Sequence, residues 1–376
     1  MKLFTCSSCG QALFFENTRC QKCGHQLAYL PDLSVMSPLE PFEADQDATA
    51  TSSEFVALAK AARNGRYRLC ANYVQHDVCN WAIPIAQDTP LCVSCELNVD
   101  TPCTDAADAR VAWARLETAK RRVLYSLLGL GLSLDRRSPE NEKGLAFSFK
   151  SSSATEPVFT GHSEGLITIN IAEADDPFRE KARQEMGEPY RTLLGHFRHE
   201  IGHYFWDRLI KDFCLDPFRT LFGDETLDYT TEQQRHYEEG PPTDWRERFV
   251  SAYASMHPWE DWAETFAHYL HIVDTLETAR AYGLALRPNA ASGAQLPDMT
   301  ARRLDFDDFD DLIGAWFPLT NALNSLNRSM GLPDLYPFVL SQPAMAKLRF
   351  VHEIVENASE HGRSRANDDD VVAKLA

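Results

Sequence analysis

The run HEIGH, which begins at His199, constrains the fold of this chain more than any other feature of its sequence. Residues four positions apart lie on one face of an α-helix, so His199 and His203 can bind one metal ion together through their imidazole nitrogens. Glu200 would then lie beside that ion, where a carboxylate can take a proton from metal-bound water. Apolar residues flank the run, and Gly202 leaves room for a second element to approach. We therefore predict a buried helix over 189–210 that carries a metal site.

A catalytic zinc ion needs a third protein ligand and keeps one position open for water. A third histidine six residues after His203 is excluded, because the chain continues YFWDRLIKD after the motif. The alternative source is HPWEDWAETFAHYLHIVDTLE, in a predicted helix over 259–283. Four ionisable residues share one face of that helix: Glu260, Glu264, His268 and His271. Spacing alone leaves Glu260, Glu264 and His268 open as the third ligand.

Paired cysteines dominate the start of the chain, where nine of the ten cysteines precede residue 104. Four of them form two CxxC pairs with ten residues between the pairs: Cys6, Cys9, Cys20 and Cys23. Each pair forms a tight turn that directs two thiolates at one ion, and two such turns give a closed tetrahedral site. We predict a structural zinc ribbon here.

A second and looser set of cysteines follows: Cys70, Cys79, Cys92 and Cys95. The CVSC half is a specific metal-binding pair, whereas eight residues separate the first two cysteines and His76 could replace either of them. We predict a second zinc ion bound by the four cysteines. The chain would then hold Zn²⁺ at one catalytic and two structural sites.

The HEIGH motif, the cysteine pairs and the predicted elements together indicate an α+β fold in which two small N-terminal zinc ribbons precede a mostly helical, zincin-like domain with a small sheet. The segment between the ribbons is rich in Pro, Ser, Thr and acidic residues, which is typical of a flexible linker. The tail RSRANDDDVVAKLA is predicted to be disordered. The predicted regions are 1–104 for the ribbons (ribbon 1 about 1–29, linker 30–54, ribbon 2 about 60–104), 105–362 for the helical domain and 363–376 for the tail.

Periodicity predicts the remaining elements of the helical domain. Apolar residues at helical spacing indicate a long helix over 105–134. Two short runs indicate strands at 145–150 and 166–172, the second β-branched and roughly alternating. Two further helices are predicted over 312–330 and 345–359.

Charge and hydropathy exclude several classes of protein. The formal net charge of −18 disfavours binding to nucleic acid or to an anionic membrane through the whole surface. No run of about 18 apolar residues occurs, so we predict no membrane span. The start, MKLFTCSSCG, has paired cysteines where an export signal would lie, and metal-bound thiolates fit a reducing compartment. We expect a cytoplasmic protein.

The segment AETFAHY, which contains Glu264, resembles the segment that follows HExxH in some aminopeptidase-type gluzincins. This resemblance implies that Glu264 is the third zinc ligand, and His268 stands where those enzymes have an acid. Longer blocks resemble a bacterial family of zinc-binding metallopeptidases with an N-terminal double zinc ribbon. These blocks are GLITINIAEADD, YRTLLGHFRHEIGHYFWDRL, HPWEDWAETFAHYLHIVDTLETA and RSMGLPDLYPFVL.

The resemblance implies a zinc-dependent peptidase. Zinc held by His199, His203 and Glu264 would polarise a water molecule and the scissile carbonyl. Glu200 would remove the water proton and deliver it to the leaving amine. Residues that could orient the ligands or stabilise the oxyanion are His268, Asp261 and Tyr336, with Asp207, Tyr269, His236 and His271 as further candidates. The strand at 166–172 is either an edge that binds an extended substrate or a core strand.

The expected partner is a peptide or protein substrate, and a protein partner could dock at the ribbons. KAARNGRYR (60–68) is locally basic, but residues 1–104 hold more acidic than basic residues, which disfavours a ribbon-led nucleic-acid-associated protein. The remaining alternative is a zincin-fold binding or scaffold protein with weak or no hydrolysis. The intact Glu200 favours the peptidase, because a site that only binds does not require a general base.

Overall fold

The computed structural model describes residues 1–42, 54–100, 102, 107–152, 155, 157–185, 192–289, 293 and 298–375. Contacts group the chain into two compact units. Strands concentrate in the first unit and long helices in the second, which confirms the predicted α+β class. The units are 2–129 with 133–178, and Met1 with 130–132 and 179–376.

The first cysteine set lies on a hairpin and the loop that follows it. Strand β1 (Phe4–Thr5) pairs antiparallel with β2 (Ala12–Leu13). Five further strands form an antiparallel sheet in the order β3-β4-β5-β6-β7. They are β3 (Gln26–Leu30), β4 (Val35–Pro41), β5 (Glu54–Ala57), β6 (Arg66–Leu69) and β7 (Ala82–Pro84). Two short helices, α1 (Ala71–His76) and α2 (Val93–Glu96), begin directly after Cys70 and Cys92.

The first part of the segment 30–54, which the sequence predicts to be a linker, forms a strand in the structure. Val35–Pro41 forms β4, which lies between β3 and β5, and Met36 and Leu39 are buried in it. The prolines and acidic residues of this segment resemble a loop, but its pairing with strands on both sides and the burial of its apolar residues stabilise it as a strand. Residues 43–53 of the predicted linker lie outside the described residues.

An aromatic cluster joins the cysteine region to helix α3 (Ala107–Gly129). The ring centroids of Phe15 and Tyr29 are 5.0 Å apart, and those of Phe15 and Tyr125 are 5.3 Å apart. Trp81 completes the cluster at 5.1 Å from Tyr29. Because Tyr125 belongs to α3, this helix shares a core with the cysteine region, and the compact unit continues past the predicted boundary at 104/105.

A second sheet of the same unit has the order β10-β11-β9-β8. Strand β11 pairs parallel with β9 on one side and antiparallel with β10 on the other. The strand predicted at 166–172 is therefore internal, and both of its edges are already paired, which contradicts a substrate-binding edge there. The strands are β8 (Asn98–Asp100), β9 (Ala146–Lys150), β10 (Gly161–Ser163) and β11 (Leu166–Asn170).

Helix α4 (Asp176–Glu185) contains the boundary between the units. The helical unit continues with α5, which ends in a π-helical turn over Trp206–Ile210. A two-stranded antiparallel ribbon, β12–β13, separates α9 from α10. These elements are α5 (Leu193–Phe205), α6 (Leu215–Phe222), α7 (Tyr229–Glu239), α8 (Trp245–Arg248), α9 (Pro258–Tyr282), β12 (Ala285–Leu286), β13 (Met299–Thr300), α10 (Phe309–Ser329) and α11 (Gln342–Leu375).

Helix α9 is the centre of the helical unit, and α5, α6, α10 and α11 pack against it. A Cβ atom added to Gly202 of α5 would lie only 2.9 Å from Cα of Ala263 of α9. The predicted close approach at this glycine is confirmed. The indole N–H of Trp262 donates to the carbonyl of Gly202 at 2.8 Å, so the two helices are also joined by a buried hydrogen bond.

The long helices begin and end close to their predicted bounds, with one difference at the C-terminus. Helix α11 continues to Leu375, through residues 363–375 that the sequence predicted to be disordered. That stretch contains neither proline nor glycine, the two residues that most strongly end a helix. No helix among the described residues is both long and apolar enough to span a membrane.

Candidate metal centres

Three side chains from two helices converge in the helical unit. Nε2 of His199 lies 3.0 Å from Oε2 of Glu260, and Nε2 of His203 lies 3.4 Å from the same oxygen. The two Nε2 atoms are 3.1 Å apart. Ligand atoms at about 2.0–2.2 Å from a tetrahedral zinc ion lie about 3.3–3.6 Å from one another. The separations here, 3.0, 3.1 and 3.4 Å, are within a few tenths of an ångström of that range, so a small adjustment would let this donor set hold zinc.

Local sequence signals place these side chains. The Thr192 side chain caps α5 by accepting a hydrogen bond from the N–H of Gly195 at 3.0 Å. Helix α9 starts at Pro258, and Nδ1 of the preceding His257 accepts from the N–H of Trp259 at 3.1 Å. Proline at the first helical position and a side-chain cap before it fix where α9 begins. Glu260 therefore lies in the first turn, where the helix dipole favours a carboxylate.

Glu264 lies on the other side of the His199 ring. Its Oε1 is 2.7 Å from Nδ1 of His199, and its Oε2 accepts a hydrogen bond from the Ser251 hydroxyl at 2.6 Å. The resemblance to gluzincins implied Glu264 as the third ligand, and spacing left Glu260 and His268 as alternatives. The geometry brings Glu260 to the Nε2 atoms. Both acids face α5, but only Glu260 lies near the Nε2 atoms of both histidines. The position at which α9 crosses α5 determines this difference.

Two aromatic residues, Tyr229 and Trp259, contact the side chains of the cluster. The Tyr229 hydroxyl donates to Oε1 of Glu260 at 2.9 Å, whereas Oε2 of this carboxylate faces the Nε2 atoms of the two histidines. The Trp259 ring covers His203, with centroids 3.6 Å apart. Sequence reasoning missed Tyr229, because DYTTEQQRHYEE indicates only a capped helix. Trp259 precedes Glu260 in the sequence, but its contact with His203 depends on where the two helices cross.

Burial and charge act in opposite directions on the cluster. Burial alone would lower the pKa of His199, but Glu260 and Glu264 raise this pKa well above its usual value. Burial alone would raise the pKa of Glu260, but His203 and His199 lower it well below its usual value. The arrangement thus stabilises a positive charge between the carboxylates, which is the environment that a bound cation requires.

Glu200 lies beside the cluster and differs from the other two acids. Its residue exposure is 8%, and its Oε2 is buried with no hydrogen-bond partner among the described residues. Burial raises the pKa of Glu200, although the charges of His199 and His203 oppose this. A buried carboxylate oxygen without a partner costs free energy, and such oxygens are frequent at functional sites.

The three residues expected to orient the ligands or stabilise an oxyanion make other contacts. Nδ1 of His268 and Oη of Tyr336 lie 2.7 Å apart, so each engages the other. Asp261 pairs with Lys347 of α11 at 2.5 Å, and both side chains are buried. Asp261 therefore joins α9 to α11, and the group that contacts a ligand histidine is Glu264.

Both predicted cysteine sets come together in the other unit. The Sγ atoms of Cys6 and Cys23 are 3.6 Å apart, as are those of Cys9 and Cys20. In the second set, the Sγ atoms of Cys79 and Cys92 are 3.7 Å apart. Four sulfurs at about 2.3 Å from a tetrahedral zinc ion lie about 3.8 Å apart, so both sets fit zinc. The sets are Cys6, Cys9, Cys20 and Cys23, and Cys70, Cys79, Cys92 and Cys95.

His76 does not belong to the second cluster, although its sequence position allowed it to replace a cysteine. Its ring packs against Trp113 with centroids 5.3 Å apart. The four cysteines are therefore the donors that the fold brings together.

Comparisons with known proteins agree with this geometry. Residues 109–354 match the family described as "Putative zinc-binding metallo-peptidase", and residues 3–106 match a zinc-ribbon domain. Two mycobacterial proteins, one from Mycobacterium bovis and one from Mycobacterium tuberculosis, are each 44% identical to this chain over 361 residues, which is 96% of the chain and 96% of the relative. Both relatives are described as uncharacterized. No solved structure matches the chain. The chain therefore belongs to this zinc-binding metallopeptidase family and carries an N-terminal zinc-ribbon region, as the sequence blocks predicted.

Proposed function

We propose that this protein is a zinc-dependent peptidase that hydrolyses peptide bonds with Glu200 as the general base. His199, His203 and Glu260 would hold the catalytic zinc ion, and each cysteine set would hold one structural zinc ion. One observation carries the proposal: the buried Oε2 of Glu200, which has no hydrogen-bond partner in the described part of the chain, lies beside a His–His–Glu cluster whose spacing is close to that of zinc ligands.

When bound, zinc supplies a Lewis acid that polarises water and the scissile carbonyl. Oε2 of Glu200 accepts a proton from the attacking water as the water oxygen bonds to the carbonyl carbon. Glu200 then gives this proton to the amide nitrogen as the C–N bond breaks. One water molecule thus supplies the new carboxyl oxygen and the proton of the new amine. Burial favours this role, because it raises the pKa of Glu200 towards that of a group that can hold the proton between the two steps.

Two neighbours keep the ligands in place. Glu264 engages Nδ1 of His199, which directs Nε2 of that ring to the site and increases its basicity. Tyr229 engages Oε1 of Glu260 and leaves Oε2 for the metal side. The conformational freedom of both ligands is therefore limited before a metal binds.

Within this proposal, the zinc ribbons serve protein docking or substrate selection. Residues 1–104 contain more acidic than basic residues, and the whole chain carries a net charge of −18. This balance supports a protein partner and opposes nucleic acid, whose affinity depends on cationic contacts to phosphates.

Cleavage of a quenched fluorescent peptide library by the zinc-loaded full-length protein tests the function. We expect cleavage by the wild-type chain and none by His199→Ala, which should contain one zinc ion fewer per chain by elemental analysis. A wild-type chain that holds zinc at this centre and cleaves no member of the library would contradict the peptidase and favour a binding role. Equal cleavage by both chains would place the activity outside this site.

A further inference from the structure

The two cysteine clusters differ in how far they are shielded from water. Cys9 and Cys23 of the first cluster are half-buried, whereas all four cysteines of the second cluster are at most 3% exposed. Four thiolates and one zinc ion carry a net charge of about −2. Water can solvate part of that charge at the first cluster. At the second cluster the protein itself must stabilise it, because desolvated charge is costly unless it is compensated.

A cation of helix α3 lies next to the second cluster. Arg121 is 4% exposed, and its Nη1 donates to the carbonyl of Val78 at 2.5 Å, one residue before Cys79. Its Nη2 contacts the Thr118 hydroxyl at 3.4 Å, and its Nε is buried with no hydrogen-bond partner among the described residues. The guanidinium is therefore held by the backbone of the cluster and keeps one donor unused.

The nearby acid, Glu117, pairs more closely with Lys120 than with Arg121, so the charge of Arg121 can compensate the thiolates. The neighbouring Lys120 is fully buried and pairs with Glu117 at 2.9 Å, and it also donates to Asn98 at 2.5 Å. Oε2 of Glu117 is more distant from Arg121, at 3.8 Å. Burial alone would lower the pKa of Arg121, but the charges of nearby groups raise it. These groups are Cys79, Glu117, Cys95 and Cys92.

We propose that Arg121 is the counter-cation of the second zinc site, and that zinc is retained by Cys70, Cys79, Cys92 and Cys95 only while this charge is present. Arg121 positions and compensates the thiolates without binding the metal. The inference is independent of peptidase activity, because it concerns the unit that contains residues 2–129 and 133–178.

Zinc retention in full-length, zinc-loaded variants tests the proposal. Zinc release is followed by competition with the chromogenic chelator 4-(2-pyridylazo)resorcinol, and iodoacetamide labelling with mass spectrometry identifies which cysteines become reactive. For Arg121→Gln we expect one zinc ion to be retained roughly 10–100-fold more weakly, as found for residues that support metal ligands. The cysteines that become labelled should be those of the second cluster. Those of the first cluster should stay protected.

The matched control is Arg122→Gln, because Arg122 is the next residue of α3, has a 43% exposed side chain and pairs with Glu16. It should retain all zinc as the wild-type chain does. Arg121→Lys keeps the charge and loses the guanidinium fork, so it should retain zinc within about threefold of the wild-type chain.

Wild-type retention in Arg121→Gln would overturn the proposal. Equal tenfold losses in Arg121→Gln and Arg121→Lys would also overturn it, because the hydrogen bond to Val78 would then matter more than the charge. Should Arg121→Gln fail to fold, Arg121→Lys decides alone: retention close to wild type supports the counter-cation, and a tenfold loss contradicts it.

Discussion

Glu264 contacts Nδ1 of His199 at 2.7 Å, while Nε2 of the same ring lies 3.0 Å from Glu260. One imidazole is thus held between two carboxylates that lie one turn apart on α9. Such a ring has its orientation and its tautomer set by one acid, which leaves the other nitrogen for the metal. We therefore expect the two acids to have different roles, which substitution can separate.

Glu260→Gln and Glu264→Gln should affect zinc differently. Loss of the Glu260 carboxylate would remove a proposed ligand, so we expect two zinc ions per chain in this variant and three in the wild-type protein. Loss of the Glu264 carboxylate keeps all ligands but weakens the centre roughly 10–100-fold, so zinc should still bind at saturating concentration. Elemental analysis and chelator competition measure the two effects. The reverse pattern, with zinc lost only in Glu264→Gln, would restore Glu264 as the ligand.

Tyr229→Phe tests whether the Tyr229 hydroxyl supports Glu260, the proposed third ligand. Removing the hydroxyl frees Oε1 of Glu260, which is otherwise bonded at 2.9 Å, and we expect roughly tenfold weaker zinc binding at this centre alone. Tyr282→Phe is the control, because Tyr282 is 54% exposed at the end of α9. Zinc affinity that is the same in both variants would show that Tyr229 does not position the ligand.

Gly202→Ala tests the close approach of α5 to α9. The added methyl group would lie 2.9 Å from Cα of Ala263, so one helix must shift, at a cost of about 1–3 kcal/mol in unfolding free energy. Gly314→Ala is the matched control, because Gly314 is also helical but nothing lies within 4 Å of the added atom. There the better helix propensity of alanine should stabilise the protein by up to about 1 kcal/mol. Chemical denaturation measures both, and equal midpoints would refute the packing argument.

His268 should make stability depend on pH. Burial lowers the pKa of His268 to about 4, from 6.5 for an ordinary histidine, against the attraction of Glu264 and with repulsion from Arg198. In the unfolded chain this histidine therefore binds a proton below about pH 6.5. In the folded chain it binds one only below about pH 4. Stability due to this group is present above pH 6.5 and falls as pH falls through that window, by on the order of 2–3 kcal/mol.

His268→Gln should flatten this dependence. Its unfolding free energy, measured by denaturant titration between pH 7 and pH 4, should fall less steeply than that of the wild-type chain. Identical slopes would show that His268 is not kept neutral by the fold. The contact with Tyr336 is also changed in this variant, so the slope, and not the absolute stability, is the informative quantity.

Sequence reasoning works best for candidate metal ligands that are close together in the chain. HEIGH requires only a helix to bring His199 and His203 together, and CxxC turns require only local geometry. The third ligand could not be chosen in this way. Glu260 and Glu264 lie one turn apart, and the choice depends on where α9 crosses α5, which is set by the distant contact of Gly202 with Ala263.

Sheet topology was also beyond local reasoning. The strand at Leu166–Asn170 was identified correctly, but its second neighbour, β10, is only three residues long and gives no periodic signal. Without β10 the strand looks like an edge. Similarly, Val35–Pro41 contains two prolines, and only its neighbours in the sheet reveal it as a strand.

The most direct test of the account is paired measurement of zinc content and peptide hydrolysis in Glu200→Gln. Glu238→Gln, an exposed acid of α7, is the control. We predict that Glu200→Gln keeps three zinc ions per chain and loses at least about 100-fold in hydrolysis rate, the usual contribution of a general base. Glu238→Gln should match the wild-type chain in both respects. Hydrolysis by Glu200→Gln at the wild-type rate, with zinc retained, would contradict the proposed mechanism.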